Sequence, residues 1–184
     1  MGQSGLGPRW DCVICGVGGQ GVVFAARLVG MAAMAMGWSV IMSEVHGMAQ
    51  RGGSVVSHLR LGGARSPLVP AASAQLLLGF TAAEARRGLG MVAPGGMVVV
   101  NAPGAQALGE DALEALNKAG VRVVAVDAHS AGGGGGVNMI MLGAAAAAGV
   151  VPMGLEGLKR AVAGGKRAQE NLRLLEEGAR LTES

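Results

Sequence analysis

Short apolar runs alternate with segments of helical periodicity along most of the chain. Asp11–Val17 is an apolar run that ends in glycines and reads as a buried strand. Gln20–Met36 is apolar on every side with Arg27 as its only charge, so it predicts a largely buried helix, stopped by Gly37. Ser39–Ser43 reads as a second strand, and the polar stretch His46–Gly53 as the loop after it. Ser54–Leu61 is rich in β-branched residues and predicts a third strand closed by the Gly62-Gly63 turn. Further on come an apolar run at Gln75–Phe80 and a helix over Thr81–Leu89, with Thr81 and Glu84 spaced as a capping box. Pro94-Gly95-Gly96 predicts a turn, Met97–Asn101 a strand, Asp111–Ala119 a short amphipathic helix and Val121–Asp127 the last strand. The glycine run Gly132–Gly136 disfavours regular structure and predicts a mobile connection. Asn138–Ala148, Leu155–Ala163 and Arg167–Gly178 are helical in pattern.

Strands alternating with helices argue an α/β fold, a three-layer α/β/α sandwich on a mostly parallel sheet. No internal repeat or composition shift divides the chain, so residues 1–184 read as one domain. A domain of this length buries roughly 70% of its unfolded surface. With only two Trp and two Phe, the core must be aliphatic. Hydrophobic residues make up 51% and charged residues 15%, a balance that predicts apolar surface covered by a partner.

Formal charge is +3, and Arg86-Arg87, Lys159-Arg160 and Lys166-Arg167 are isolated pairs that read as solvated helix faces. Scattered charge and scarce aromatics argue against nucleic-acid binding. The longest apolar stretch, Met139–Val151, is too short to span a bilayer, and no signal segment is evident, so a cytoplasmic chain is expected. Cys12 and Cys15 form a C-x-x-C inside a strand, where side chains three apart point to opposite faces. They read as small buried hydrophobes and not as a metal or redox pair.

The chemistry concentrates in two segments. Gly16, Gly18 and Gly21 match G-x-G-x-x-G between a strand and a helix, with Gly19 and Gln20 completing the turn. Such a turn allows close backbone approach and turns helix N–H groups toward phosphate, and a Rossmann-type site would use Glu44 as its ribose acid. A glycine turn that only lets the helix pack on the sheet explains the same pattern. The second segment holds Glu44, His46, Gln50, Arg51, Gly52 and Gly53. His beside a carboxylate can do acid–base work and Arg can grip an anion. Equally, Glu44 and Arg51 can pair to fix a loop at a subunit interface, and interface use weighs more here than catalysis. His58 reads as a satisfied core or edge histidine. No zincin H-E-x-x-H, G-x-S-x-G elbow or Walker lysine is present, so no self-sufficient catalytic constellation is visible.

The chain resembles the γ-type subunit or domain of the 2-oxoacid:ferredoxin oxidoreductases. The resemblance rests on Gly16–Gly21 as G-x-G-G-Q-G, Ala32-Ala33 with Gly37, Glu44–Gly53, Ser54–Arg60, Pro94-Gly95-Gly96 before a strand ending at Asn101, Asn138–Gly143, and Asn171. The segment Glu44–Gly53 is similar to that of the small β subunit of indolepyruvate-type members. Gly132–Gly136 departs from a stretch that is usually mixed and polar, and Gln75 stands where aspartate is common.

The resemblance implies a subunit supporting oxidative decarboxylation of an aryl 2-oxoacid with coenzyme A, giving acyl-CoA, carbon dioxide and reduced ferredoxin. It implies thiamine diphosphate, iron–sulfur clusters and coenzyme A in the assembled complex, housed mainly in a large partner subunit, with ferredoxin reached through that complex. This chain carries neither a G-D-G…N thiamine motif nor cluster cysteines. The expected contacts are Gly16, Gly18, Gly19, Gln20 and Gly21 for a phosphate-bearing cofactor. Glu44, His46, Gln50, Arg51, Gly52, Gly53 and Asn138 are expected to meet a partner or anion, with Glu44 orienting His46 or Arg51. No catalytic residue and no metal ligand is assigned, and the isolated chain could form a homodimer. Two other readings stay open: a standalone NAD(P)- or flavin-binding oxidoreductase, and a binding or assembly module with a vestigial site.

Overall fold

The computed structural model describes residues 8–47, 52–132 and 135–183. β1 (Trp10–Val17) is buried on both faces, as an apolar run broken only by the ion-paired Asp11 requires. It is followed by α1 (Val22–Ala35), β2 (Val40–His46), β3 (Ser54–Leu61), β4 (Ala74–Gly79), α2 (Ala82–Gly88) and β5 (Val92–Asn101). Then come α3 (Glu110–Lys118), β6 (Arg122–Val126), α4 (Ala128–Gly132), α5 (Val137–Ala147), α6 (Gly154–Val162) and α7 (Ala168–Glu183). The order in the sheet is β2-β3-β1-β4-β5-β6.

The sheet is mixed but mostly parallel. β1, β4, β5 and β6 run parallel, while β3 is antiparallel to both β1 and β2. The connection from β2 to β3 is too short for a crossover helix, so those strands can only form an antiparallel hairpin. That hairpin's turn falls at the carboxyl edge of β1, beside the glycine turn.

Side chains alternate across the sheet and feed two cores. Trp10, Cys12, Ile14, Leu59, Leu76, Leu78 and Val99 face α1 and α5, whereas Val13, Cys15, Leu77, Val98 and Val100 lie with residues of α2 and α3. The two cysteines therefore stand on opposite faces of β1, both buried and unbridged. α5 and α7 pack with backbone nearly in contact: a Cβ on Gly143 would collide with the Leu175 carbonyl, and one on Gly178 with the Ile140 carbonyl.

Several expectations are corrected. α1 begins at Val22, because Gln20 belongs to the turn, with its amide donating to the Val17 carbonyl at 3.1 Å. β2 runs on to His46, so that residue ends a strand and does not open the loop. Pro94-Gly95-Gly96 lies within β5, where the pairing with β4 shifts register between Ala74 and Leu76. α7 extends five residues beyond Gly178, because its apolar face continues onto α5 through Ala179 and Thr182. In the glycine run, Gly132 closes α4, and a Cβ on Gly136 would stand 2.8 Å from Leu174 Cδ2, so these two are packed positions; Gly133 and Gly134 lie outside the described residues. Among the described residues, no helix is long and apolar enough to cross a membrane.

Candidate functional site

The glycine turn and the β2–β3 turn meet at the carboxyl edge. The Gly18 amide donates to the Gly53 carbonyl at 2.9 Å, and the Gly47 amide donates to the Ser54 carbonyl at 2.8 Å, closing the neck of the hairpin. Gln20 folds back so that its Oε1 accepts from the Val17 amide at 2.7 Å. Gly16 is required by this arrangement, since a Cβ there would lie 2.8 Å from Gln20 Oε1 and 2.9 Å from Val22. Gly21 caps α1 in the left-handed region, with φ of 82° and no side-chain cap. A Cβ at Gly21 would collide with Asn138 Nδ2, which packs against the turn from the start of α5 while its Oδ1 accepts from the Met139 amide. Asn101 ties the same edge together: its Nδ2 donates to the Phe80 carbonyl at 3.1 Å and its Oδ1 accepts from the Ala128 amide at 3.0 Å.

A cavity of about 480 Å³ opens here, lined by Gly18, Gly19, Phe24, Arg27, His46 and Val55, among others. The first-turn amides of α1 have no intrahelical partner and carry the positive end of the helix dipole. Arg27 adds a cation, and its Nη2 stands 3.7 Å from Glu44 Oε1. With Arg27 65% exposed, this ion pair is screened and contributes little to stability. The wall continues into exposed apolar side chains of α1, Phe24, Met31 and Met34, with Met36 just beyond the helix.

Sequence reasoning placed Glu44 against His46 or Arg51. Its ion-pair partner among the described residues is instead Arg27, the lone charge of the α1 pattern. Gln50 and Arg51 lie outside the described residues. Glu44 also misses the ribose position of a Rossmann-type site. Ile14, Ser57 and Glu44 are in register across β1, β3 and β2, so β3 intervenes and Glu44 stands two strand spacings, about 9.5 Å, from β1. Two amides of the turn are also taken by the chain's own oxygens, from Gln20 and Gly53. This geometry does not fit a dinucleotide cradle; it leaves an anion the first turn of α1 and Arg27.

Iron–sulfur ligation does not fit these residues either. Cys12 and Cys15 are buried on opposite faces of β1, and burial pushes both thiols up, Cys15 to about 12 with Glu84 nearby adding to the rise. Neither supplies a thiolate near neutral pH. Among the described residues, no group of three or more His, Cys, Asp and Glu side chains is placed to hold a metal. His58 is a satisfied core histidine, with Nδ1 accepting from the Val69 amide at 3.2 Å and burial holding its pKa down. Gln75 clamps the start of β4 to β1: its Oε1 accepts from the Asp11 amide and its Nε2 donates to the Ser73 carbonyl.

A family model described as pyruvate ferredoxin/flavodoxin oxidoreductase matches residues 11–181. The chain belongs to that family. Curated relatives named "Indolepyruvate oxidoreductase subunit IorB" support the placement. That of Methanothermobacter thermautotrophicus is 41% identical over 93 residues, 50% of this chain and 47% of the relative. That of Thermococcus kodakarensis is 43% identical over 95 residues, 51% of this chain and 47% of the relative. The chain spans about half the length of the curated relatives it matches.

Solved oxidoreductases of this kind share the fold. A 2-oxoglutarate:ferredoxin oxidoreductase from Magnetococcus marinus aligns with a TM-score of 0.77 at 17% identity, covering 96% of this chain and 31% of that one. The γ subunit of a keto/oxoacid ferredoxin oxidoreductase from Geobacter sulfurreducens gives 0.70 at 21% identity, covering 95% of this chain and 98% of that one. Subunit PORC of pyruvate oxidoreductase from Thermotoga maritima gives 0.72 at 20% identity, covering 95% and 97%. The shared fold spans nearly all of the two separate subunits and 31% of the longer chain.

Proposed function

We propose that this chain is the small subunit of a 2-oxoacid:ferredoxin oxidoreductase acting on arylpyruvates of the indolepyruvate type. The bond from the Gly18 amide to the Gly53 carbonyl carries the reading. It joins the two most specific segments of the chain, Gly16–Gly21 and Glu44–Gly53, into one surface, and the exposed apolar row of α1 extends that surface. The name of the curated relatives supports the substrate class.

In this reading the partner is a large subunit that holds thiamine diphosphate and iron–sulfur clusters. Thiamine diphosphate held there would supply the electron sink that decarboxylation of the oxoacid needs, and the clusters would carry electrons singly toward ferredoxin. This chain supplies shape, backbone donors and Arg27 at the carboxyl edge. Gly16, Gly18, Gly19, Gln20 and Gly21 shape the turn, and the first amides of α1 beyond it face an anionic group such as a coenzyme A phosphate. Glu44, His46, Gln50, Arg51, Gly52, Gly53 and Asn138 form or support the partner-facing surface. The complex works in the cytoplasm.

Co-expression with a thiamine-dependent large subunit tests the proposal. The expected result is a stable complex that reduces ferredoxin with indolepyruvate and coenzyme A, while the small chain alone is inactive and shows no flavin absorbance. Failure to associate, or oxoacid oxidation by the small chain alone, would overturn it.

A further inference from the structure

Glu84 lies on the opposite sheet face from the cavity, in the first turn of α2, and is only 4% exposed. Its spacing from Thr81 is that of a capping box, in which the glutamate reaches back to the cap residue's own amide. Only half of that box forms. Thr81 Oγ1 accepts from the Glu84 amide at 3.2 Å, but the Glu84 carboxylate turns away from the cap. One oxygen accepts from the Ser54 hydroxyl at 2.5 Å and the other from the Arg87 guanidinium. A buried carboxylate that gives up its local partner is held by what it gains elsewhere.

Ser54 is where three tethers converge. Its hydroxyl binds α2 through Glu84, its carbonyl takes the Gly47 amide, and the preceding carbonyl, of Gly53, takes the Gly18 amide. Helix α2 thus fixes, from behind the sheet, the residue whose carbonyl takes Gly47 and whose neighbour Gly53 takes the glycine turn. We infer that Glu84 is a positioning residue for the carboxyl-edge site, latching the Gly18–Gly53 contact through Ser54. The inference rests on the proposed function only for the use made of that surface.

Amide hydrogen exchange by NMR on the intact chain tests the latch. Ser54→Ala and, separately, Glu84→Ala each speed exchange at Gly18 and Gly47 about tenfold, the scale of one lost charge-assisted bond. Core amides such as Val98 keep their rates, and Ser54→Thr, which retains the hydroxyl, restores slow exchange. Unchanged Gly18 exchange in either alanine variant, or acceleration matched by Val98, overturns the inference. Binding of the same variants to the large subunit separates the two claims. If exchange rises and affinity falls, both stand. If exchange rises while affinity holds, the latch stands and the proposed partner surface falls.

Discussion

Arg60 and Asp11 form a two-pronged ion pair between adjacent strands, with Nε 2.9 Å from Oδ1 and Nη2 3.1 Å from Oδ2. Both side chains are almost fully buried. Arg60 also donates to the carbonyls of Ser66 and Leu68, so it fastens the segment after β3 onto the sheet, and exposed Arg9 caps the same carboxylate. Removing one partner leaves the other charge buried and alone. Asp11→Ala is expected to destabilise by about 3–5 kcal/mol, read by chemical denaturation. Arg9→Ala, at the exposed end, should cost less than about 1 kcal/mol.

The close approach of α5 and α7 makes Gly178 irreplaceable. Alanine there drives a methyl into the Ile140 carbonyl, a backbone atom that cannot rotate away. Gly178→Ala should cost about 3 kcal/mol or more, or abolish folding. Gly164→Ala, where a Cβ meets nothing within 4 Å, should change stability by no more than about 0.5 kcal/mol.

Burial lowers the His58 pKa below its ordinary value of 6.5, so the native chain holds this ring neutral. The unfolded chain takes up the proton first as pH falls. His58 therefore contributes stability that is complete above about pH 6.5 and is lost as pH drops toward the lower native value. A series of thermal melts from pH 7.5 to 5 should show a decline that His58→Asn reduces, since the Asn amide oxygen takes the place of Nδ1 as acceptor for Val69 but carries no titrating group.

Phe24 is 49% exposed at the rim of the cavity. Phe24→Glu should leave the chain's stability within about 0.5 kcal/mol while weakening association with the large subunit at least about tenfold, measured by titration calorimetry. Full affinity in this variant would exclude α1 from the interface.

Much of this protein is legible one segment at a time. Ser54–Leu61 is the third strand to the residue, because a run holding Val55, Val56, Leu59 and Leu61 between two glycine pairs leaves little choice. Gly37 ends α1 with φ of 83°, as a glycine past a helix should. The separation of Cys12 from Cys15 follows from strand period alone. The candidate site was readable as two segments, but not as their contact. Arg27 sits seventeen residues before Glu44 in sequence, and only the packing of α1 across β2 makes them neighbours. Glu84 reads as a cap residue, and its bond to Ser54 spans thirty positions.

Side-chain pattern carried every strand and every helix but α4, their order, the apolar character of both sheet faces and the glycines where backbone must turn or touch. These are local properties, set by side-chain period and by allowed dihedral angles. Tertiary structure alone decided that β3 inserts between β1 and β2, and with it which side chain faces which. Insertion of one antiparallel strand puts Glu44 two strand spacings from β1 instead of one and brings Gly53 onto Gly18. Strand neighbours are chosen by the pairing of whole strands and the closure of their loops, a balance that no short stretch of sequence contains.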